Sequence, residues 1–239
     1  MKKYSLLILV SFYFIFCQST KTLKTYEVNQ IPENTIKIDG ILEKSEWENA
    51  FVETDFSFPW LDTATPYTEF RALCSDSNFY FVFQVNDADI VINQDFENEM
   101  GVLSEDRVEI FMARDKDLKK YYGFEMDPLG RVMDYEASYY RQYNRSWTCA
   151  DLQTVGTLRK TGYVVEGSIP IETLRSIGVL DDSNTIRAGV FRGEFHYGKN
   201  LDIIQHWISW VDLKTKTPDF HVPGAFGSFK LINKVNNLQ

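Results

Sequence analysis

Phe70-Arg71-Ala72-Leu73-Cys74, then Ser75-Asp76-Ser77-Asn78, then Phe79-Tyr80-Phe81-Val82-Phe83-Gln84-Val85: two runs rich in aromatic and aliphatic residues flank a short stretch whose Asp, Ser and Asn side chains can hydrogen-bond their own backbone. That pattern predicts a tight β-hairpin. Working outward, similar runs recur over 107–113, 121–126, 131–137, 162–169, 185–194, 205–212 and 226–232. Asp127-Pro128-Leu129-Gly130 separates two of them, with proline pre-setting φ and glycine free to take a positive value. Helix is confined to short segments around 42–49 and 171–177, the second opened by Pro170. Short strands between turn signals, without alternating helical patterns, predict an all-β sandwich or barrel built of antiparallel sheets.

The start of the chain reads differently. Lys2 and Lys3 precede an apolar run over 6–16 and a polar stretch at Gln18, Ser19 and Thr20, the order of an export signal over 1–19. The run is shorter than the roughly 20 residues of a membrane span. Two processing readings stay open: cleavage after Ser19, or acylation of Cys17 as in a bacterial lipoprotein, with the bulky Phe16 before it. Either places the mature protein outside the cytoplasm, in the cell envelope (periplasm or outer membrane) or secreted. The remaining segment, 20–239, carries no Pro/Gly/Ser-rich linker, low-complexity run or repeat, and is expected to be one domain with a sizeable core. The net charge of −9 becomes −11 once Lys2 and Lys3 leave (−9 minus 2). An acidic chain without basic clusters has no electrostatic attraction to nucleic acid or anionic lipid. Cys74 and Cys149 are expected to be unpaired core thiols, a disulfide being the alternative that an oxidising compartment allows.

Candidate chemistry is sparse. Asn86-Asp87-Ala88-Asp89 offers oxygen ligands that suit Ca²⁺, at Asp87 and Asp89, or else a plain solvated loop. The acids Asp106, Glu109, Glu125, Asp127 and Asp134 invite an acid/base reading. Strand alternation puts Arg107 and Glu109 on one face, however, which predicts an ion pair on a solvated surface. The histidines His196, His206 and His221 show no metal-binding spacing, and His221 is expected to be a turn residue that bonds backbone. No G-x-S-x-G nucleophile motif or glycine-rich phosphate loop is present. Trp47 is expected to pack in the core, and Trp207 and Trp210, three apart, to face opposite ways.

Several strings, in order, carry a resemblance: Ile38-Asp39-Gly40-Ile41-Leu42 with Glu46-Trp47, then 76–85, Asp106-Arg107-Val108-Glu109-Ile110-Phe111, Tyr163-Val164-Val165-Glu166 with Ile169-Pro170, Trp207-Ile208-Ser209-Trp210, and Phe226-Gly227. Together they resemble the family 9 carbohydrate-binding modules. The resemblance implies a two-sheet, jelly-roll-like antiparallel β-sandwich with one or two short helices, structural calcium in some members, and a sugar held between two tryptophans. It matches Trp210 to one of those tryptophans and Glu109 to a polar sugar contact. The second tryptophan falls six residues before Glu109, at Leu103, and Glu125 stands where sugar-binding members carry arginine. Three readings of the site therefore stay open. Trp147 or Trp60 supplies another platform, beside a groove lined by Tyr139, Tyr140 and Tyr143; or other loops bind a different ligand; or the fold serves a role without sugar. Trp210, Glu109, Glu125, Arg71, Trp147 and Tyr140 are the candidate ligand contacts. The expected function is non-catalytic binding of an oligo- or polysaccharide beside polysaccharide-degrading enzymes. The alternatives are a glycoside hydrolase or lyase using the strand carboxylates, and a haem-binding or structural sandwich with Met112, Met126 or Met133 as axial ligand.

Overall fold

The computed structural model describes residues 23–232; the segment expected to be an export signal, 1–19, and Cys17 within it lie outside them. In chain order the strands are β1 (Thr25–Gln30), β2 (Thr68–Cys74), β3 (Asn78–Asn86), β4 (Arg107–Ala113), β5 (Tyr121–Met126), β6 (Val132–Ser138), β7 (Gln142–Asn144), β8 (Gln153–Arg159), β9 (Gly162–Pro170), β10 (Thr185–Tyr197), β11 (Ile203–Ser209) and β12 (Gly227–Ile232). The helices α1 (Lys44–Trp47) and α2 (Ile171–Ser176) are short. Among the described residues no helix is long and apolar enough to cross a membrane.

The strands form one continuous curled sheet in the order β7-β6-β5-β4-β10-β12-β1-β2-β3-β9-β8, with β11 also on β10. Its two halves face each other as a sandwich. The predicted β2–β3 hairpin is present, with Phe70 opposite Phe83 and Cys74 opposite Phe79. In its turn the Ser75 hydroxyl accepts from the amides of Ser77 (3.3 Å) and Asn78 (3.1 Å). The sheet is mixed where an antiparallel one is expected, because β1 runs parallel to both β12 and β2. A parallel neighbour needs a long return path, and the long connection over 31–67 that carries α1 supplies it.

Alternation along β4 and β5 decides what the sandwich buries. Val108, Ile110 and Met112, with Tyr122, Phe124 and Met126, point between the two halves, where they meet Phe70, Phe79, Phe83 and Phe229. Burying each such side chain contributes roughly 1.5–3 kcal/mol. The haem candidates Met112 and Met126 are thus core filling. The other face of β4 and β5 carries Phe111 and Tyr121, which join Met133 and Tyr135 of β6 in a second cluster covered by loops holding Leu213, Phe220 and Phe226. A third cluster lies outside β2, β3 and β9 around Trp47, which is wholly buried. Its indole donates to Glu166 (3.1 Å), whose other oxygen accepts from the amides of Gly40 (2.8 Å) and Asp39 (3.2 Å). Cys74 and Cys149 are buried free thiols, and burial pushes the Cys74 thiol up to about 11.

Candidate functional site: a pocket on the outer face of the β4 sheet

On that second face, β4, β5 and β6 floor a cavity of about 410 Å³. Arg107, Glu109 and Glu125 reach it because they share one strand face and because Glu109 pairs directly with Glu125 across β4 and β5. Arg107 is 4 % exposed and Glu109 2 %, so this polar face is enclosed and not solvated as alternation alone suggests. The loop following β11, through Pro218, Asp219 and Phe220, and Leu103 near the end of the 3₁₀ turn before β4 line its other sides.

Arg107 organises the floor. Its Nε donates to Glu125 Oε2 at 2.7 Å, and its Nη1 donates to the Leu103 carbonyl at 3.2 Å. Nε also lies 2.9 Å from Glu109 Oε1, but its one N–H is aimed at Glu125, so this contact is an ion pair without a hydrogen bond. Glu109 Oε1 is left as a buried acceptor without a donor. Tyr135 Oη donates to Glu125 Oε1 at 3.0 Å. Burial first, and then the neighbouring Glu125 charge, push the Glu109 carboxyl up to about 8 against the pull of Arg107. Burial of Glu109 beside Glu125 thus favours its protonated form, while the Arg107 guanidinium favours the charged one.

Trp207 forms the aromatic wall, with the Arg107 guanidinium 5.0 Å from its ring centre and Phe220 edge-on at 5.8 Å. Leu103 and Met133 add apolar surface. His221 lies on Phe111 (5.1 Å) and hydrogen-bonds Tyr121 Oη through Nδ1 (2.9 Å) and Tyr143 Oη through Nε2 (3.2 Å). Burial, reinforced by Arg141, drives it down to about 3, so it stays neutral. It lines the pocket and its ring bonds two tyrosine hydroxyls, where a turn residue that bonds backbone is expected. At the rim, Asp219 accepts from Tyr140 Oη (2.8 Å), Arg141 Nη2 (2.8 Å) and the His221 amide (2.9 Å). Burial opposes its ionisation, but these bonds outweigh burial and hold its carboxyl below the usual range. Arg145 is exposed at the mouth, 4.9 Å from the Tyr143 ring centre.

Of the predicted contacts, Glu109 and Glu125 line the cavity, and Tyr140, half exposed, reaches its rim through Asp219. The others do not converge there. Trp210 is 2 % exposed and packs edge-on against Phe229 at 5.6 Å in the inter-sheet core. The two tryptophans do face opposite ways, and Trp207 is the one in the pocket. Trp147 sits on Tyr122 (4.7 Å) and Phe124 as a lid on the same core. Trp60 donates to the Thr215 carbonyl at 3.0 Å and packs on Phe220 behind the pocket. Arg71, on the outer face of β2, pairs with Glu69 (2.6 Å). Arg107, Tyr135, Arg141, Trp207, Asp219 and His221 were missed; the sequence signals for them are that Arg107 shares a strand face with Glu109 and that Trp207 opposes Trp210.

Asp87 and Asp89 do not fit a calcium ion. Asp87 Oδ2 accepts from Arg192 Nη2 at 2.6 Å, so a guanidinium stands where the cation would. Asp89 Oδ2 turns instead to the Tyr197 amide (3.2 Å). Asp106, beneath them, accepts from the amides of Val91 (2.8 Å) and Phe195 (3.1 Å), and burial together with the Asp87 charge pushes it up to about 8.

An indole, two carboxylates and a guanidinium thus line one pocket on the outer face of one sheet of a β-sandwich. The chain belongs to the carbohydrate family 9 binding domain-like family, whose model matches residues 38–234. A Bacteroides uniformis ATCC 8492 protein named for an inferred ability to bind carbohydrate superposes with a TM-score of 0.69 at 18 % identity, covering 88 % of this chain and 100 % of that one. A family 9 module from Caldicellulosiruptor kristjanssonii, solved with glucose, gives 0.61 at 16 % identity over 90 % of this chain and 100 % of its own. The same organism's module with cellotriose gives 0.60 at 16 % identity, over 90 % and 97 %. None of the curated proteins matches the sequence.

Proposed function

We propose that the pocket binds a sugar ring or the end of a short oligosaccharide without cutting it, and that the protein is an exported module for capturing polysaccharide at the cell envelope, alongside polysaccharide-degrading enzymes. The observation that carries this reading is the buried, donorless Oε1 of Glu109 beside Trp207 in one cavity. A pyranose offers both complements: hydroxyl donors for the carboxylates, and slightly positive axial C–H groups for the face of an indole. Family membership and the glucose and cellotriose held by the Caldicellulosiruptor modules support it. Leu103 in the pocket wall gives an aliphatic contact where the resemblance places a second tryptophan, so stacking is one-sided and a ligand relies more on the floor.

Turnover fits the geometry poorly. A glycosidase places its two carboxyls on either side of the scissile bond, whereas Arg107 Nε lies against both Glu109 and Glu125 and occupies the space between them. Calorimetric titration of the purified protein against neutral, acidic and host-type oligosaccharides tests the binding reading. A ligand should be found whose affinity drops at least about tenfold, or about 1.4 kcal/mol, in Trp207→Ala. Equal affinity in wild type and variant would move the site elsewhere.

A further inference from the structure

The β10–β11 hairpin brings together two histidines that lie ten residues apart in the chain. Glu194 and His196 share a face of β10, and the antiparallel register sets His206 directly opposite Glu194. His196 Nδ1 lies 3.3 Å from Glu194 Oε2, and the two imidazoles are 5.1 Å apart between ring centres. One ligand atom from each of the three residues lies within 4.8 Å of the others, and among the described residues this is the one such cluster of His, Cys, Asp or Glu. The setting is sheltered: the Glu194 side chain is 12 % exposed and that of His196 29 %, and Phe58 packs edge-on against His206 at 5.7 Å.

We propose that Glu194, His196 and His206 form a binding site for a divalent transition metal of the zinc class. Four ligands held tetrahedrally at about 2.0–2.1 Å are roughly 3.3 Å apart. The Glu194–His196 pair is already at that spacing, and side-chain rotation closes the remainder. Two imidazoles and one carboxylate suit a borderline ion and discriminate against Ca²⁺ and Mg²⁺, which prefer all-oxygen sites. Three protein ligands leave a fourth position for water. The site adjoins the pocket through the chain, because Trp207 follows His206 and points to the opposite face. A bound ion therefore staples the two strands at the residue beside the pocket's indole. The site stands whether or not the pocket takes sugar.

The full chain, stripped with a chelator, is titrated with Co²⁺ as a spectroscopic stand-in and then with Zn²⁺. One Co²⁺ per chain with visible d–d absorption, displaced by Zn²⁺, and a melting temperature raised by Zn²⁺ are expected. His206→Ala and Glu194→Gln should each weaken binding at least about tenfold and abolish the thermal shift. Should a variant fail to fold, paramagnetically shifted ring-proton signals of His196 and His206 in the Co²⁺-loaded wild type decide the matter. No stoichiometric binding, or binding that survives in the His196→Ala/His206→Ala double variant, overturns the proposal.

Discussion

At the scale of single residues, the pocket turns on which tryptophan faces it. Alternation along a strand says that Trp207 and Trp210 oppose one another, but not which of the two faces the core; that follows from register, and Trp207 pairs with Gly193 above Arg107. The two alanine variants should therefore part company. Trp207→Ala is expected to lose ligand with a small change in stability, while Trp210→Ala should cost about 3–5 kcal/mol in a urea melt, the range for emptying a buried aromatic site, and retain affinity in its folded fraction. Glu109 makes a second prediction. Its folded-state value, raised from 4.5 to about 8, means that the folded protein keeps a proton that the unfolded chain has already released. The associated stability is fully present below pH 4.5 and is lost as pH rises towards 8, with a slope of at most about 1.4 kcal/mol per unit. Urea midpoints measured across that window should flatten in Glu109→Gln. An unchanged slope would place the proton elsewhere.

At the scale of elements, the hairpin and most strands were legible because their apolar runs are long and bounded by turn residues. Predicted and observed limits coincide at β4 and β5, where seven and six consecutive residues are buried. The missed strands lack that signal: β8 is half exposed throughout, β7 is three residues long, and β1 alternates buried and exposed positions at its start. Neither β1's parallel pairing nor the histidine convergence on β10–β11 leaves a local trace, since both come from long-range register. The start of β9 offers a test of how tightly register is held. Gly162 has φ +146°, and an added Cβ would lie 1.8 Å from the Val85 carbonyl oxygen. Gly162→Ala should therefore cost several kcal/mol, at least the ~1–3 kcal/mol of a strained backbone position. A melt within about 0.5 kcal/mol of wild type would show that the β3–β9 pairing yields there.

At the scale of the whole molecule, three guanidinium groups each serve two acids: the buried Arg107 with Glu109 and Glu125, the buried Arg192 with Asp87 and Asp106, and the partly exposed Arg131 with Glu105 and Asp127. Composition announces a surplus of acid but not where it is neutralised. Removing one partner of such a nest strands buried charge, so Arg192→Met is expected to destabilise by about 3–5 kcal/mol. Because Arg192 already supplies the cation at Asp87, millimolar Ca²⁺ should leave the melting temperature of chelator-stripped protein unchanged; a rise of several degrees would show an oxygen-ligand site elsewhere. The resemblance carried the fold and drew attention to Glu109 and Glu125, which line the cavity, while the aromatic wall and the rim of Arg141, Asp219 and His221 emerged from packing. The central claim is that this cavity, and no other surface, takes the sugar. Its most direct test is an amide and indole NMR titration of the full chain with a glycan panel beginning with glucose and cellotriose. The account predicts saturable shifts at Trp207, Glu109 and Tyr135, with Trp147 and Trp210 unmoved; shifts centred away from the pocket, or none with any glycan, would contradict it.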